Sequence, residues 1–92
     1  MKNIRTITNK TNVPVEILIR ITMMRCIGKI ITIPQLSHII LSDKIDVISN
    51  KTDKPMLILF KISDAKCIGK KVTLKSNEEV KFNHEVDIIE II

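Results

Sequence analysis

Two cysteines and two histidines carry the most reactive side chains of this chain, and their number limits the chemistry they could do. Cys26 and Cys67 are too few to hold zinc, which generally takes four ligands. No nucleophile, base and orienting group stand at a spacing typical of a catalytic cluster, and the chain has no glycine-rich phosphate loop. We therefore expect no catalytic residue, no metal site and no cofactor, and we expect that the protein is not an enzyme.

Lysine and arginine recur at matching positions when the chain is shifted along itself so that residue 4 falls on residue 45. This pattern is the best candidate for an anion-binding surface. Positive side chains repeated in this way could bind phosphate, sulfate or an acidic protein surface. They also fit an ordinary charged outer face that keeps edge strands from pairing with other chains. The four pairs are Lys10 and Lys51, Arg20 and Lys61, Arg25 and Lys66, and Lys29 and Lys70.

The composition narrows the ligands that these charges would attract. The net charge of the 92 residues is +5, and Phe60 and Phe82 are the only aromatic residues. Single-stranded nucleic acid is usually bound by basic side chains together with stacking aromatic rings, and carbohydrate often needs aromatic rings too. Both ligand classes are therefore disfavoured, and nucleic acid is not an expected partner.

The same shift matches residues along the whole chain. Residues 4–51 placed on residues 45–92 without a gap give 16 identities in 48 pairs. The histidines do not share the pattern, since His38 falls on Glu79 and His84 on Asp43. We interpret the chain as two tandem repeats, residues 4–44 and 45–85, followed by residues 86–92 as a third occurrence of the first-strand pattern.

Each repeat is predicted to fold into four short strands. Ile, Val and Thr make up 33 of the 92 residues and Ala occurs once, a composition that favours strands over helices. Alternation is clearest after Pro14 and Pro55, where one face holds Val15, Ile17, Ile19 and Ile21, or Met56, Ile58, Phe60 and Ile62. The predicted strands are 4–8, 15–23, 30–33 and 38–41 in the first repeat, 45–49, 56–62, 71–75 and 79–82 in the second, and 86–90 at the end.

Each repeat is too small to hold a core alone, so the two repeats should share one interior. We predict a single all-β domain over residues 1–92, a small β-sandwich or barrel with a pseudo-two-fold axis between the repeats and a closing C-terminal strand. Four strands in about 40 residues also match a propeller blade, so a two-blade chain that closes a ring by oligomerisation is an alternative.

Two other repeated features have structural explanations. Cys26 and Cys67 occupy equivalent positions, so they could form a disulfide near a pseudo-two-fold axis or fill the same buried niche twice. Asn9-Lys10-Thr11 and Asn50-Lys51-Thr52 match the N-glycosylation sequon, but Asn and Thr at these positions also fit polar turns that bond the local backbone.

The apolar residues near two strand ends point to assembly. The runs Ile39-Ile40-Leu41 and Ile88-Ile89-Glu90-Ile91-Ile92 are apolar on both faces of a strand. An uncovered strand of this kind would pair with other chains, so either the second sheet or a partner chain must cover it. The candidate residues for assembly are Ile88, Ile89, Ile91 and Ile92.

These observations predict a non-enzymatic structural or interaction module that assembles with other protein chains or with itself. An accessory or decoration subunit of a phage particle is one role of this class. The alternatives are a polyanion-binding module that uses the repeated basic positions, and a two-blade lectin-like or enzymatic chain completed by oligomerisation. No apolar run reaches the roughly 18–20 residues of a membrane span, and no secretion signal follows Lys2 and Arg5, so we expect a cytoplasmic or virion location.

Overall fold

The described part of the chain folds into nine β-strands. The structure is a computed structural model that describes residues 4–22, 28–42, 44–63, 69–83 and 85–92. None of these residues is helical, and so no helix among them is long and apolar enough to cross a membrane. The strands are β1 (Ile4–Asn9), β2 (Val15–Arg20), β3 (Lys29–Ile33), β4 (His38–Ser42), β5 (Val47–Asn50), β6 (Met56–Lys61), β7 (Lys70–Leu74), β8 (Glu79–Lys81) and β9 (Ile88–Ile91).

The strands form two sheets, and each sheet takes strands from both halves of the chain. The five-stranded sheet has the order β4-β1-β9-β6-β7, and the four-stranded sheet has the order β3-β2-β5-β8. β9 pairs with β1 in parallel and with β6 antiparallel, while the other pairings are antiparallel. The all-β sandwich prediction is confirmed. In a propeller each repeat would form a sheet of its own. Here each sheet contains strands from both repeats, so the two-blade alternative is not observed in this chain.

The core lies between the two sheets and is built by the predicted alternation. Ile17 and Ile58 are fully buried at the centres of β2 and β6, and Ile7 and Ile89 meet them from β1 and β9. Aliphatic residues dominate the interior, and Phe60 and Phe82 stack in it with ring centroids 5.4 Å apart. Burial of this apolar surface is the main favourable contribution to folding.

A buried asparagine ends each first strand and holds the turn that follows. The side-chain amide of Asn9 donates to the carbonyls of Val13 and Ile33 at 2.8 and 3.0 Å, and its oxygen accepts from the backbone and hydroxyl of Thr11. Asn50 makes the matching bonds in the second repeat, to Lys54, Leu74 and Thr52. The polar turn is therefore fastened both to itself and to the end of the next strand.

Gly28 and Gly69 stand directly before β3 and β7, where each lies against the preceding strand. Their φ angles are +93° and +100°, a region that favours glycine. A Cβ atom would lie 2.6 Å from the carbonyl oxygen of Ile19 at Gly28, and of Phe60 at Gly69. The close backbone approach thus requires glycine at both positions.

Several strand boundaries differ from the predicted ones. β2 ends at Arg20 rather than at residue 23, because the next residues leave the sheet and Thr22 is held by the Asp46 carboxylate. β5 begins at Val47 rather than at residue 45, since Ile45 closes a turn by donating to the carbonyl of Ser42.

The cysteines Cys26 and Cys67 lie outside the described residues. The pseudo-two-fold relation between the repeats stays a prediction.

We expect Asn9→Ala to lower the free energy of unfolding by about 1–3 kcal/mol, because it leaves the buried carbonyl of Ile33 and the partly buried N–H of Thr11 without their partner. Asn9→Asp should cost at least as much, since it replaces the amide donors by acceptors that face carbonyl oxygens. Urea denaturation followed by circular dichroism measures both. Asn12→Ala, in the exposed part of the same turn, is the control, and equal urea midpoints for Asn9→Ala and Asn12→Ala would contradict this role.

Candidate functional site

Two of the repeated basic residues are bound to one carboxylate on the outer face of the five-stranded sheet. Glu90 of β9 accepts from the ammonium group of Lys10 at 2.9 Å and from that of Lys61 at 3.1 Å. These two lysines come from opposite sides of β9, because Lys10 follows β1 and Lys61 ends β6. Each of these two ammonium groups thus already has a carboxylate partner within the molecule.

The two lysines change the protonation of Glu90. Hydrogen bonding to Lys10 is the largest effect, and it holds the pKa of the Glu90 carboxyl below its ordinary value. Partial burial acts in the opposite direction, and the bond to Lys61 adds to the lowering. Glu90 is therefore a charged group at neutral pH that fastens the last strand to its two neighbours.

Arg20 is engaged in the same manner on the other sheet. Its guanidinium bonds the carboxylate of Glu79 at 2.5 Å. β5 lies between β2 and β8, with Val47 beside Arg20 and Ser49 beside Glu79. The ion pair therefore crosses the outer face of β5, which explains why Val47 and Ser49 are buried outside the interior between the sheets.

The remaining predicted basic positions do not meet these three. Lys29 and Lys70 are exposed at the starts of β3 and β7, which lie at opposite sides of the sandwich. Lys51 is half-buried in the turn after β5. Arg25 and Lys66 lie outside the described residues. The basic positions that the structure describes are thus spread over several surfaces and do not form one patch.

Arg5 is a buried charged residue that the repeat comparison did not single out. Its Nε donates to the carbonyl of Val86 at 2.7 Å, and its Nη1 donates to the carbonyl of Ile45. The guanidinium lies 5.1 Å from the centre of the Phe82 ring. Ile45 and Val86 precede β5 and β9, the two strands that correspond to β1 in the repeat pattern. Arg5 therefore connects the start of β1 to the starts of β5 and β9.

The sequence did carry a signal for this role. Arg5 occupies an inward position of β1, alternating with Ile7 and Asn9, so its charge needed partners inside. Asp46 and Asp87 are the residues that the repeat places on Arg5, and each bonds a residue that follows a long strand: Asp46 binds Thr22 and Asp87 binds Ser63. These residues position strands, and their hydrogen bonds assign them to the scaffold.

The predicted assembly residues of the C-terminal strand lie in the middle of a sheet. Ile89 and Ile91 face the core and are buried, and their backbone lies between β1 and β6. Ile88 is half-buried on the outer face, and Ile92 is partly exposed after the strand ends. Within the monomer, the second sheet already covers the inward half of this apolar run.

Two clefts lie at the two open sides of the sandwich, where edge strands of the two sheets face each other. One cleft, of about 560 Å³, lies between β3 and β4 and is lined by Ile31 and Ile39. The other, of about 330 Å³, lies between β7 and β8 and is lined by Val72 and Val80. Val72 and Val80 are the repeat equivalents of Ile31 and Ile39, so the two clefts are built at matching positions of the chain.

The exposed residues of the strands and turns beside the two clefts differ in polarity. On the β3–β4 side, Ile30 is 56% exposed, Leu36 73% and Ile40 66%. Their repeat equivalents on the β7–β8 side are exposed polar residues: Lys71, Asn77 and Lys81. We call residues Lys29–Ser42 the apolar side and residues Lys70–Asn83 the lysine side. A matched backbone thus presents isoleucine and leucine at one edge and lysine and asparagine at the other.

Leu36 is the least expected of the exposed apolar residues. Its φ is +55°, in the left-handed region, and the turn that contains Asn77 has the same conformation with φ +67°. Asparagine adopts this region readily, whereas a leucine there costs about 1–2 kcal/mol. Leu36 is therefore unfavourable both in conformation and in exposure, and neither feature benefits the fold of one chain.

Comparison of the chain with protein-family models, with curated proteins and with solved structures gave no match in any of the three.

The described residues contain no group of three or more His, Cys, Asp or Glu side chains that could hold a metal ion. A third cleft, of about 320 Å³, lies between the turns at 11–15 and 52–56, and threonine, proline, Val13 and Ile92 line most of it. The apolar side is therefore the surface whose residue types call most for a functional explanation.

We expect Glu90→Gln to lower the free energy of unfolding at neutral pH by about 1 kcal/mol or less, because partly exposed ion pairs contribute little each. The pKa of Glu90 is lowered in the folded state, so the unfolded chain binds the proton more tightly. The contribution of Glu90 is therefore present above about pH 4.5 and is lost as the pH falls through the lowered folded-state pKa.

Urea denaturation of the wild type and Glu90→Gln between pH 7 and pH 3 measures this difference. Glu16→Gln, at an exposed position of β2, is the control for a carboxylate-to-amide change. The difference between wild type and Glu90→Gln should shrink on acidification and at high salt. A difference that grows as the pH falls would contradict the assignment of Glu90.

Proposed function

We propose that this protein is a non-enzymatic interaction module that binds another protein chain through its apolar side. The observation that carries the proposal is the exposure of Ile30, Leu36 and Ile40 where the lysine side has polar residues. Scattered single apolar residues are common at protein surfaces. Here three of them lie on one continuous segment, and the same fold supports lysine and asparagine at the matching positions.

The energetics favour the same proposal. The exposed parts of Ile30 and Ile40 gain nothing from the fold of one chain, and burial in a complex would remove this apolar surface from water at about 25 cal/mol per Å². The half-buried Ile31 and Ile39 extend this surface into the cleft between β3 and β4. β3 and β4 are also edge strands, so their free main-chain groups can pair with an extended segment of a partner.

The contacts of the repeated basic residues favour protein binding over polyanion binding. Lys10, Arg20 and Lys61 each bond a glutamate, and a polyanion would have to compete with those pairs. Lys29 and Lys70 lie on opposite sides of the sandwich. An accessory subunit of a larger particle, such as a phage decoration protein, is one assembly role that suits a small module with one binding side.

Replacing the three exposed apolar residues by their counterparts tests the proposal. The variant Ile30→Lys, Leu36→Asn, Ile40→Lys should fold, because those residue types stand at the matching positions of the lysine side. Affinity purification from an extract of the source organism then compares wild type and variant. We expect proteins bound to the wild type in fixed ratio, a further copy of the chain included, to be lost from the variant.

The control is Lys71→Ala with Lys81→Ala, which changes the lysine side and should leave binding unchanged. Circular dichroism confirms that both variants are folded. Retention of the same proteins by the apolar-side variant would refute the proposal. Equal loss from the control would refute it as well, because binding would then not depend on which side is changed.

A further inference from the structure

We propose that the apolar side binds a second copy of the same chain, with the β4 strands of the two chains pairing antiparallel about a two-fold axis at Ile40. This inference rests on the proposed function and specifies its partner. Pairing of this kind joins the two five-stranded sheets into one continuous sheet of ten strands. It also brings the two exposed Ile40 side chains together on one face.

The main chain of β4 is arranged for this pairing. The N–H of Asn9 donates to the carbonyl of Ser37 at 2.8 Å, which fixes the residues of β4 that bond β1. Because bonded and non-bonded pairs alternate along an antiparallel ladder, Ile39 and Leu41 face β1. His38, Ile40 and Ser42 therefore direct their main-chain groups to the free edge. A two-fold axis at Ile40 pairs that residue with itself and His38 with Ser42 of the second chain.

The charges select a second copy at this edge and exclude it at the other. β4 has no Lys, Arg, Asp or Glu, so two β4 strands meet without like charges, although each chain carries a net charge of +5. Two β7 strands would bring Lys70 and Lys71 of both chains together. Like charges placed opposite each other across a strand pair are destabilising.

The same charges make the assembly stop at two chains. A head-to-tail contact would place the apolar side of one chain against Lys71 and Lys81 of the next. Those ammonium groups would lose water, while Glu79, the acidic residue of β8, already bonds Arg20. A contact between two identical surfaces closes on itself and leaves the lysine sides outermost. The arrangement is therefore a closed dimer and not a fibre.

Analytical ultracentrifugation of the purified full chain over the micromolar concentration range tests the dimer. We expect the wild type to reach twice the 10.5 kDa mass of one chain. Ile40→Lys should weaken the dimer about thirtyfold or more, as loss of a central interface side chain does. Ile40→Pro should also abolish it, because proline removes an N–H that faces the free edge and leaves the bonds to β1 intact.

Lys81→Pro is the matched control on the lysine side. The bonds from Asn50 to Glu78 and from Phe82 to Asp46 place the main chain of Lys81 at the free edge of β8. Lys81→Pro should therefore fold and dimerise like the wild type. A dimer that survives Ile40→Pro, or is equally lost in Lys81→Pro, would overturn the inference.

A wild type that stays monomeric over the whole range would also overturn the second copy as the partner. It would leave the proposed function standing if other proteins bind the wild type and are lost from the apolar-side variant. If neither another protein nor a second chain binds, the proposed function fails together with this inference. The two experiments thus distinguish the failure of the partner from the failure of the function.

Discussion

The pairing of β9 with β1 on one side and β6 on the other is the contact on which the rest of the structure depends. It joins β4 and β1 of the first half to β6 and β7 of the second half in one sheet. Without β9 that sheet would be two separate pairs of strands, and two-stranded sheets are marginal in water. Ile89 and Ile91 enter the core through this pairing, and Glu90 holds two lysines across it on the outer face.

Side chains that bond the backbone hold the turns and strand starts of this scaffold. Asn9 and Asn50 fasten the turns after β1 and β5, while Arg5, Asp46 and Asp87 fasten the segments before the strands. These contacts do not involve the exposed side chains of β3, β4, β7 and β8. Residues at the two open sides can therefore differ in polarity without loss of the fold, and the apolar side that we propose as a binding surface makes use of this freedom.

Much of the fold could be predicted from the sequence, because local patterns determine it. The alternation after Pro14 and Pro55 predicted the inward faces of β2 and β6, and the β-branched composition predicted strands throughout. The strand order could not be predicted, since β9 and β1 are far apart in sequence and their pairing depends on the shape of the whole interior. The ion pairs of Lys10, Arg20 and Lys61 follow from that order, and so they were not foreseen.

The candidate site shows the same division between local and long-range information. The repeat comparison already placed Ile30 on Lys71, Leu36 on Asn77 and Ile40 on Lys81. Only the sheet order shows that these residues lie at free edges, and only the turn geometry shows that Leu36 adopts a conformation better suited to asparagine. The repeated lysines were the more visible pattern, but those that the structure describes are spread over several surfaces, and only Lys10 and Lys61 among them share a partner, Glu90.

Exchange of the two sides is the most direct test of the claim that their side chains decide where the protein binds. The exchanged variant Ile30→Lys, Leu36→Asn, Ile40→Lys, Lys71→Ile, Asn77→Leu, Lys81→Ile keeps the composition and net charge of the chain. Amide hydrogen exchange in dilute and concentrated solution locates the contact surface. Concentration-dependent protection should lie within residues 29–42 in the wild type and move to residues 70–83 in the exchanged variant. Protection that stays at residues 29–42 after the exchange would contradict the claim.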